Sequence, residues 1–202
     1  ADGDFLSDSD ESTYSTDPNN RDTDGDGLYD GIEVMRRTDP KVATPPPGLR
    51  VPVDCANIQE AIFKAFPLEV IDVDSGQYNE NLLIPGKDIK LRGAGAETTI
   101  IDGGNAESVI TFLGTESEEC EISGFTIRNG ATSRYGGGIY GCSTYATIKN
   151  NTISNNSASD GGGLYWCYGI IQNNTISNNS GGYGGGLHRC DGTIQNNTIT
   201  SN

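Results

Sequence analysis

Residues 136–202 repeat themselves, and a chain that repeats with a short fixed period has few ways to fold. Three segments align: Gly136–Cys142 (GGGIYGC), Gly161–Cys167 (GGGLYWC) and Gly184–Cys190 (GGGLHRC). Each leads into a near-identical tail, Thr147–Ser154 (TIKNNTIS), Ile170–Ser177 (IIQNNTIS) and Thr193–Thr200 (TIQNNTIT). The glycine triplets recur after 25 and then 23 residues. A period in that range marks a solenoid, in which each repeat buries its apolar face only against its neighbours. Apolar residues alternate over short stretches (Ile148 and Ile153, Ile171 and Ile176, Ile194 and Ile199), which suits strands and leaves no room for an amphipathic helix. Gly and Asn stand at the turns, since both tolerate positive φ. The pattern predicts an all-β parallel β-helix.

Equivalent positions of successive coils then stack. The pairs Asn150–Asn151, Asn173–Asn174 and Asn196–Asn197 are expected to form ladders whose amides bond from coil to coil. They also create N-x-[ST] sequons at Asn150, Asn155, Asn173, Asn178 and Asn196, which matter only where the Asn is exposed. Cys142, Cys167 and Cys190 hold one place in the repeat and are expected to form a column. That column is either three small buried hydrophobes or contains one disulfide, because a coil step of about 4.8 Å lies within the Cα range a disulfide accepts. Thr152 with Ser154, Thr175 with Ser177 and Thr198 with Thr200 should form an outward hydroxyl strip.

Upstream, Asn57 with Glu60 three residues on is an N-cap signal, and Ile58, Ala61, Ile62, Ala65 and Phe66 fall on one helical face that Pro67 ends. A short amphipathic helix suits the lid that a solenoid needs over its first coil. Strand signals follow at Val70–Val73, Leu82–Ile84, Ile89–Leu91, Thr99–Ile101, Val109–Phe112 and Phe125–Ile127. The run from Ile58 through Ile71–Glu80, Leu91–Gly93 and Thr99–Asp102 resembles the start of a right-handed parallel β-helix of the pectin-lyase-like superfamily. With the downstream repeats the resemblance covers residues 51–202. That superfamily includes polysaccharide lyases and hydrolases, whose chemistry needs clustered Asp, or calcium-binding Asp beside a base, on one face. From Ala131 onward the acids are Asp160 and Asp191, which hold different coil positions, and His188 replaces a repeat tyrosine. The expectation is a chain without catalytic residues. Its rivals are a fragment of a carbohydrate-active enzyme and a glycan-binding module.

Residues 1–40 carry ten Asp and two Glu against three Arg, so they hold −9 of the net −15. The segment Asp22–Glu33 satisfies D-x-[DN]-x-[DN]-G-x5-E. A hard cation such as Ca²⁺ takes six to eight oxygens, and this spacing supplies them from Asp22, Asp24, Asp26, the Leu28 carbonyl, Asp30 directly or through water, and Glu33. The same unit occurs 22 residues earlier with Asp2, Asp4, Leu6, Asp8 and Glu11. There the first ligand would precede Ala1, and Phe5 replaces the turn glycine. The T-D-P spacers and the loops resemble thrombospondin type 3 calcium repeats, a resemblance that implies additional oxygens from Asp17 and Asp39. Pro45–Pro47 mark a linker over 41–50, separating a calcium-binding segment 1–40 from a β-helix 51–202.

The acidity would repel a phosphate backbone and disfavours nucleic acid as a partner, and no apolar run reaches membrane-spanning length. No signal peptide heads the sequence and the repeat runs unbroken to Asn202, so the expectation is a mature or excised piece. Together these features predict a secreted, calcium-stabilised structural or adhesive element of a microbial cell surface. Its expected partners are calcium with copies of itself, other surface proteins or polysaccharide, and one version joins copies end to end into filaments.

Overall fold

The computed structural model describes residues 2–43 and 48–202, which fall into two compact units, Ala1–Pro47 and Gly48–Asn202. The expected Pro45–Pro47 spacer lies outside the described residues. In the first unit two short helices, α1 (Asp8–Tyr14) and α2 (Asp30–Arg36), each follow an acidic loop. Both end on a residue in the left-handed region, Ser15 (φ 61°) and Arg37 (φ 64°). The next threonine then donates its N–H to the buried glutamate's carbonyl, Thr16 to Glu11 at 3.1 Å and Thr38 to Glu33 at 3.0 Å. The T-D-P element is thus a helix stop that ties its own chain back to the helix. Leu28 and Ile32 form the apolar centre of this unit.

The second unit is a parallel solenoid. Its strands form a seven-stranded sheet from Leu49–Val51 to Thr193–Gln195, a six-stranded sheet from Gly76–Tyr78 to Thr198–Thr200 and a five-stranded sheet from Leu82–Ile84 to Leu187–His188. We call these the first, second and third sheets. Every pairing is parallel and joins one coil to the next. Each sheet contributes one inward column: Ile71, Leu91, Ile122, Ile148 and Ile171 from the first, Ile101, Ile127, Ile153 and Ile176 from the second, and Leu82, Ile110, Ile139 and Leu164 from the third. All are buried. Each fully buried Ile or Leu contributes about 2 kcal/mol of transfer free energy, so the columns rather than any intrinsic strand preference drive the winding. Helix α3 (Ile58–Lys64) lays Ile58, Ala61 and Ile62 on this core, while Phe66, expected on the same face, is 38% exposed because the helix stops at Lys64. Asn57 caps α3, and the Glu80 carboxylate accepts from the Ile58 and Gln59 N–H groups, both at 2.9 Å.

The repeat glycines have a steric origin. The first of each triplet is left-handed (Gly136 φ 59°, Gly161 φ 63°, Gly184 φ 62°). The other two stack glycine on glycine: a Cβ on Gly162 would lie 2.3 Å from the Ser180 carbonyl and 2.7 Å from that of Gly185. Only glycine lets the coils approach here.

The asparagine pairs divide their labour, which corrects the expectation that both members stack. Asn150, Asn173 and Asn196 are exposed turn residues with φ of 54–56°. Asn151, Asn174 and Asn197 form the ladder. The Asn174 amide donates to the Ile148 carbonyl at 2.9 Å, and its Oδ1 accepts the Asn151 N–H at 2.9 Å. A second ladder, not anticipated, runs through Asn156, Asn179 and Asn202 on the far side of the second sheet, with the same bonds. All five sequon asparagines are exposed turn residues, and the ladder residues are not sequons. Cys142 also departs from expectation. The two residues that lengthen the first period form a bulge at 141–143, which puts Thr144 opposite Cys167 and leaves Cys142 outside the column. Cys167 and Cys190 do hold one column, their thiols donating to the Tyr165 and His188 carbonyls, and all five cysteines are free thiols.

Asn174→Ala should lower the stability of the solenoid by about 2–4 kcal/mol, because it strands a buried N–H and a buried carbonyl. Asn173→Gly should stay within about 0.5 kcal/mol, since it alters only an exposed left-handed turn. Urea melts of both variants followed by circular dichroism check this.

Candidate metal centre

The two acidic loops adopt one local conformation. In the second, Asp22 accepts from the Gly25 and Gly27 N–H groups at 2.8 and 3.0 Å, Asp24 from Asp26 N–H at 3.1 Å, and Asp26 from Leu28 N–H at 2.9 Å. In the first, Asp2 accepts from Asp4 N–H at 3.2 Å and Asp4 from Leu6 N–H at 2.9 Å. These bonds turn each chain so that its carboxylates point inward. Gly27 sits at φ 96°, and Phe5, its counterpart, is held at φ 73° with its ring 64% exposed. The first loop therefore makes the same turn despite lacking the glycine, at the cost of a strained non-glycine backbone.

Among the described residues, carboxylates converge at two places, Asp2 with Asp4 and Glu11, and Asp22 with Asp24 and Asp26. Within each group one oxygen per residue lies within 4.8 Å of the others. Glu33 adjoins the second group. It is fully buried and neither carboxylate oxygen has a hydrogen-bond partner. Burial, then the negative charges of Asp24, Asp26, Asp30 and Asp22, push its pKa up to about 8. Glu11 is its counterpart, fully buried, both oxygens unpartnered, its carboxyl pushed upward by burial and then by Asp2, Asp4 and Asp8. Asp24 is raised by the same causes, burial first. Clustered, buried, unpartnered carboxylate oxygens are unfavourable in a bare protein and are the donor set of a hard cation. The residues present fit calcium.

The remaining expected ligands hold other places. Both Asp30 oxygens are used by Thr23, from its N–H at 2.8 Å and its hydroxyl at 2.6 Å. Asp30 thus braces the loop against α2 and stands outside the converging group. Asp8 is exposed at the start of α1, outside the first group. Asp17 and Asp39 accept from the N–H two residues on, Asn19 at 3.0 Å and Lys41 at 3.1 Å, forming the turns of the two T-D-P elements.

The scan against protein families matches both halves. A right handed beta helix region matches residues 90–202. The chain belongs to this right-handed β-helix family. A bacterial TSP3 repeat, a repeat of the calcium-binding type, matches twice, at residues 2–21 and 22–43. No curated protein matches the chain. The two TSP3 repeats are the two acidic loops with their helices, and the division between them follows the 22-residue offset of the loops.

The repeats are also joined. The Gly31 N–H of α2 donates to Asp4 Oδ2 at 3.2 Å. A Cβ on Gly31 would lie 2.4 Å from the Asp4 carbonyl and 2.8 Å from the Leu6 nitrogen, so the second repeat's helix is seated on the backbone of the first repeat's loop. No spacing in the sequence reveals this contact. The only signal is a glycine inside a seven-residue helix, where glycine costs about 1 kcal/mol.

Two substitutions read out this geometry. Phe5→Gly should stabilise the first repeat by about 1 kcal/mol, by removing a strained non-glycine left-handed residue that is largely exposed, as measured by hydrogen exchange of α1. Gly31→Ala should displace the Asp4–Leu6 backbone and weaken calcium binding at the first group, although Gly31 is itself no ligand. Calorimetric titration with calcium would show loss of one of two binding events.

Proposed function

We propose that the chain is a non-catalytic, extracellular, calcium-binding β-helix that serves as a structural or adhesive element of a microbial cell surface. One observation carries the reading: Glu11 and Glu33, fully buried with unpartnered oxygens beside converging aspartates, mark the TSP3 unit as the part of the chain that requires a ligand. Asp22, Asp24, Asp26 and Glu33 hold one calcium ion, with the Leu28 carbonyl, and Asp30 orients the loop. Asp2, Asp4 and Glu11 hold the other, with the Leu6 carbonyl. The ions supply charge that lets these side chains stay ionised while buried, which makes an acidic segment rigid.

Four of the solenoid's acids have structural work instead. Asp102 pairs with Arg128 at 3.0 Å, Glu121 with Lys149 at 2.9 Å and Asp74 with Arg50 at 2.9 Å. The buried Glu116 accepts from the Gly86, Leu113 and Gly114 N–H groups. This favours a scaffold over an enzyme. Between the two scaffold versions, adhesion is preferred to end-to-end filaments, because α3 already occupies the first coil's core and a second copy would meet a helix there. Among the described residues no helix is long and apolar enough to cross a membrane.

Replacing Asp24 and Asp26 together by Asn should weaken calcium binding at the second group by about 100-fold, since ligand charge sets affinity in such sites. Hydrogen exchange should rise across 22–36 and stay unchanged in the three sheets. Exchange that also rises in the sheets would show that the β-helix depends on the ions. Release of oligosaccharides from polysaccharides incubated with the chain would defeat the non-catalytic reading.

A further inference from the structure

The outer column of the third sheet differs from the other two. The first sheet carries Lys149, Gln172 and Gln195 outward, and the second carries Thr152, Thr175 and Thr198. The third carries Thr111, Tyr140, Tyr165 and His188 in register. A neighbouring two-stranded strip, Ser157–Asp160 with Ser180–Tyr183, adds the ring of Tyr183, and an isolated bridge to its first strand adds that of Tyr135. Tyr135 bridges to Asp160, which pairs with Tyr183, so these two tyrosines stand two coil steps apart. Tyr135 stacks on Tyr165 at 4.6 Å and 17°, and Tyr183 stacks on His188 at 6.1 Å and 29°. Four of the nine tyrosines, the single tryptophan Trp166 and the single histidine therefore share one face.

This face is open and partly polar. Tyr165, at the centre of the cluster, is buried, and the rings open to solvent are Tyr135 and Tyr183, 41% and 70% exposed. Beside them lies a cleft of about 290 Å³, lined by Glu107, Ser108, Thr111, Arg134, Tyr135 and Tyr140. Exposed aromatic faces beside hydroxyl, guanidinium and carboxylate groups suit a ligand with apolar C–H faces and many hydroxyls. That is a sugar. Two coil steps amount to about 9.6 Å, close to the span after which an extended β-1,4-linked pyranose chain presents the same ring face again. Glu107 and Asp160 on this face, on a chain of net charge −15, disfavour a polyanionic glycan.

We propose that this aromatic face binds a neutral β-1,4-linked glycan laid along the solenoid axis, its rings stacked on Tyr135 and Tyr183 and one end hydrogen-bonded in the Glu107–Arg134 cleft. The proposal deepens the adhesive reading and rests on the face holding a glycan without cleaving it.

The test uses the full chain with calcium, titrated with β-1,4-linked hexamers of glucose and of N-acetylglucosamine, and with the α-1,4-linked glucose hexamer as control. Calorimetry and Trp166 fluorescence report binding, and chromatography of the recovered sugar reports cleavage. At least one β-linked hexamer should bind and shift the fluorescence, while the α-linked one does not. Tyr183→Ala, at an exposed position, should weaken binding about tenfold, and Arg134→Ala should weaken it further at the cleft end, both with an unchanged circular dichroism spectrum. Absence of binding to both β-linked hexamers, equal binding of the α-linked one, or binding indifferent to Tyr183→Ala would overturn the site. Self-association through this face, abolished by Tyr183→Ala, would overturn it in favour of a second copy as occupant. Binding followed by cleavage would keep the site and defeat the non-catalytic reading, whereas failure to bind leaves the calcium scaffold standing.

Discussion

The regular corners of the repeat region depend on one interaction, a buried asparagine amide that bonds two coils at once. A coil must turn between sheets, and a turn leaves backbone N–H and C=O groups without a strand to pair them. At the corners on either side of the second sheet, from Asn151 onward, the asparagine side chain donates to a carbonyl of the preceding coil and accepts a backbone N–H of that coil. The amide is the one neutral side chain with a donor and an acceptor so placed. Because it acts on the coil before it, the same residue recurs from Asn151 to Asn197 and from Asn156 to Asn202, and a single hydrogen-bonding requirement becomes a sequence repeat.

The acidic unit answers to the opposite constraint. Its carboxylates cannot satisfy one another, since each offers only acceptors when ionised. The loops spend the available N–H groups on holding the carboxylates inward, which leaves Glu11 and Glu33 buried with nothing to donate to them. A solenoid coil completes itself by meeting another coil, whereas an acidic loop completes itself only with a cation. The Gly31–Asp4 contact follows from this, because a loop whose shape waits on an ion gains a second support from the neighbouring helix.

What the sequence disclosed follows the same division. Glycine triplets, inward isoleucines and the loop motif were legible because each position is used repeatedly for one purpose. The asparagine pair was only half legible: stacking was evident, but that Asn150 turns and Asn151 bonds depends on which side chain faces the core, and the sequence pattern does not mark it. The second ladder was not legible although Asn156, Asn179 and Asn202 recur at the same offset, because Ser201 stands in the third repeat where Asn155 and Asn178 stand in the others and breaks the doubled pattern. Cys142 was misplaced because alignment by residue identity ignored the two extra residues that the bulge absorbs. Asp30 was assigned to the ion by loop position, whereas Thr23, an unremarkable residue inside the loop, takes both its oxygens.

Comparison among the chain's own repeats separates structural from free positions. The ladder asparagines, the first two glycines of each triplet and the inward isoleucines are identical in all three, as steric and hydrogen-bonding demands require. The outward threonines of the second sheet hardly vary either, being constrained by strand preference on a flat face. The outward column of the third sheet varies, from tyrosine to tyrosine to histidine, and the next position changes from glycine to tryptophan to arginine. A position that the coil leaves free would drift to small polar residues if solvent were its only environment. These positions instead carry rings large enough to pack on one another, Tyr165 buried between the half-buried Tyr140 and His188. The solenoid does not need those rings for its winding, since its inner columns and ladders are complete without them, and their concentration on one face is therefore a property of the surface.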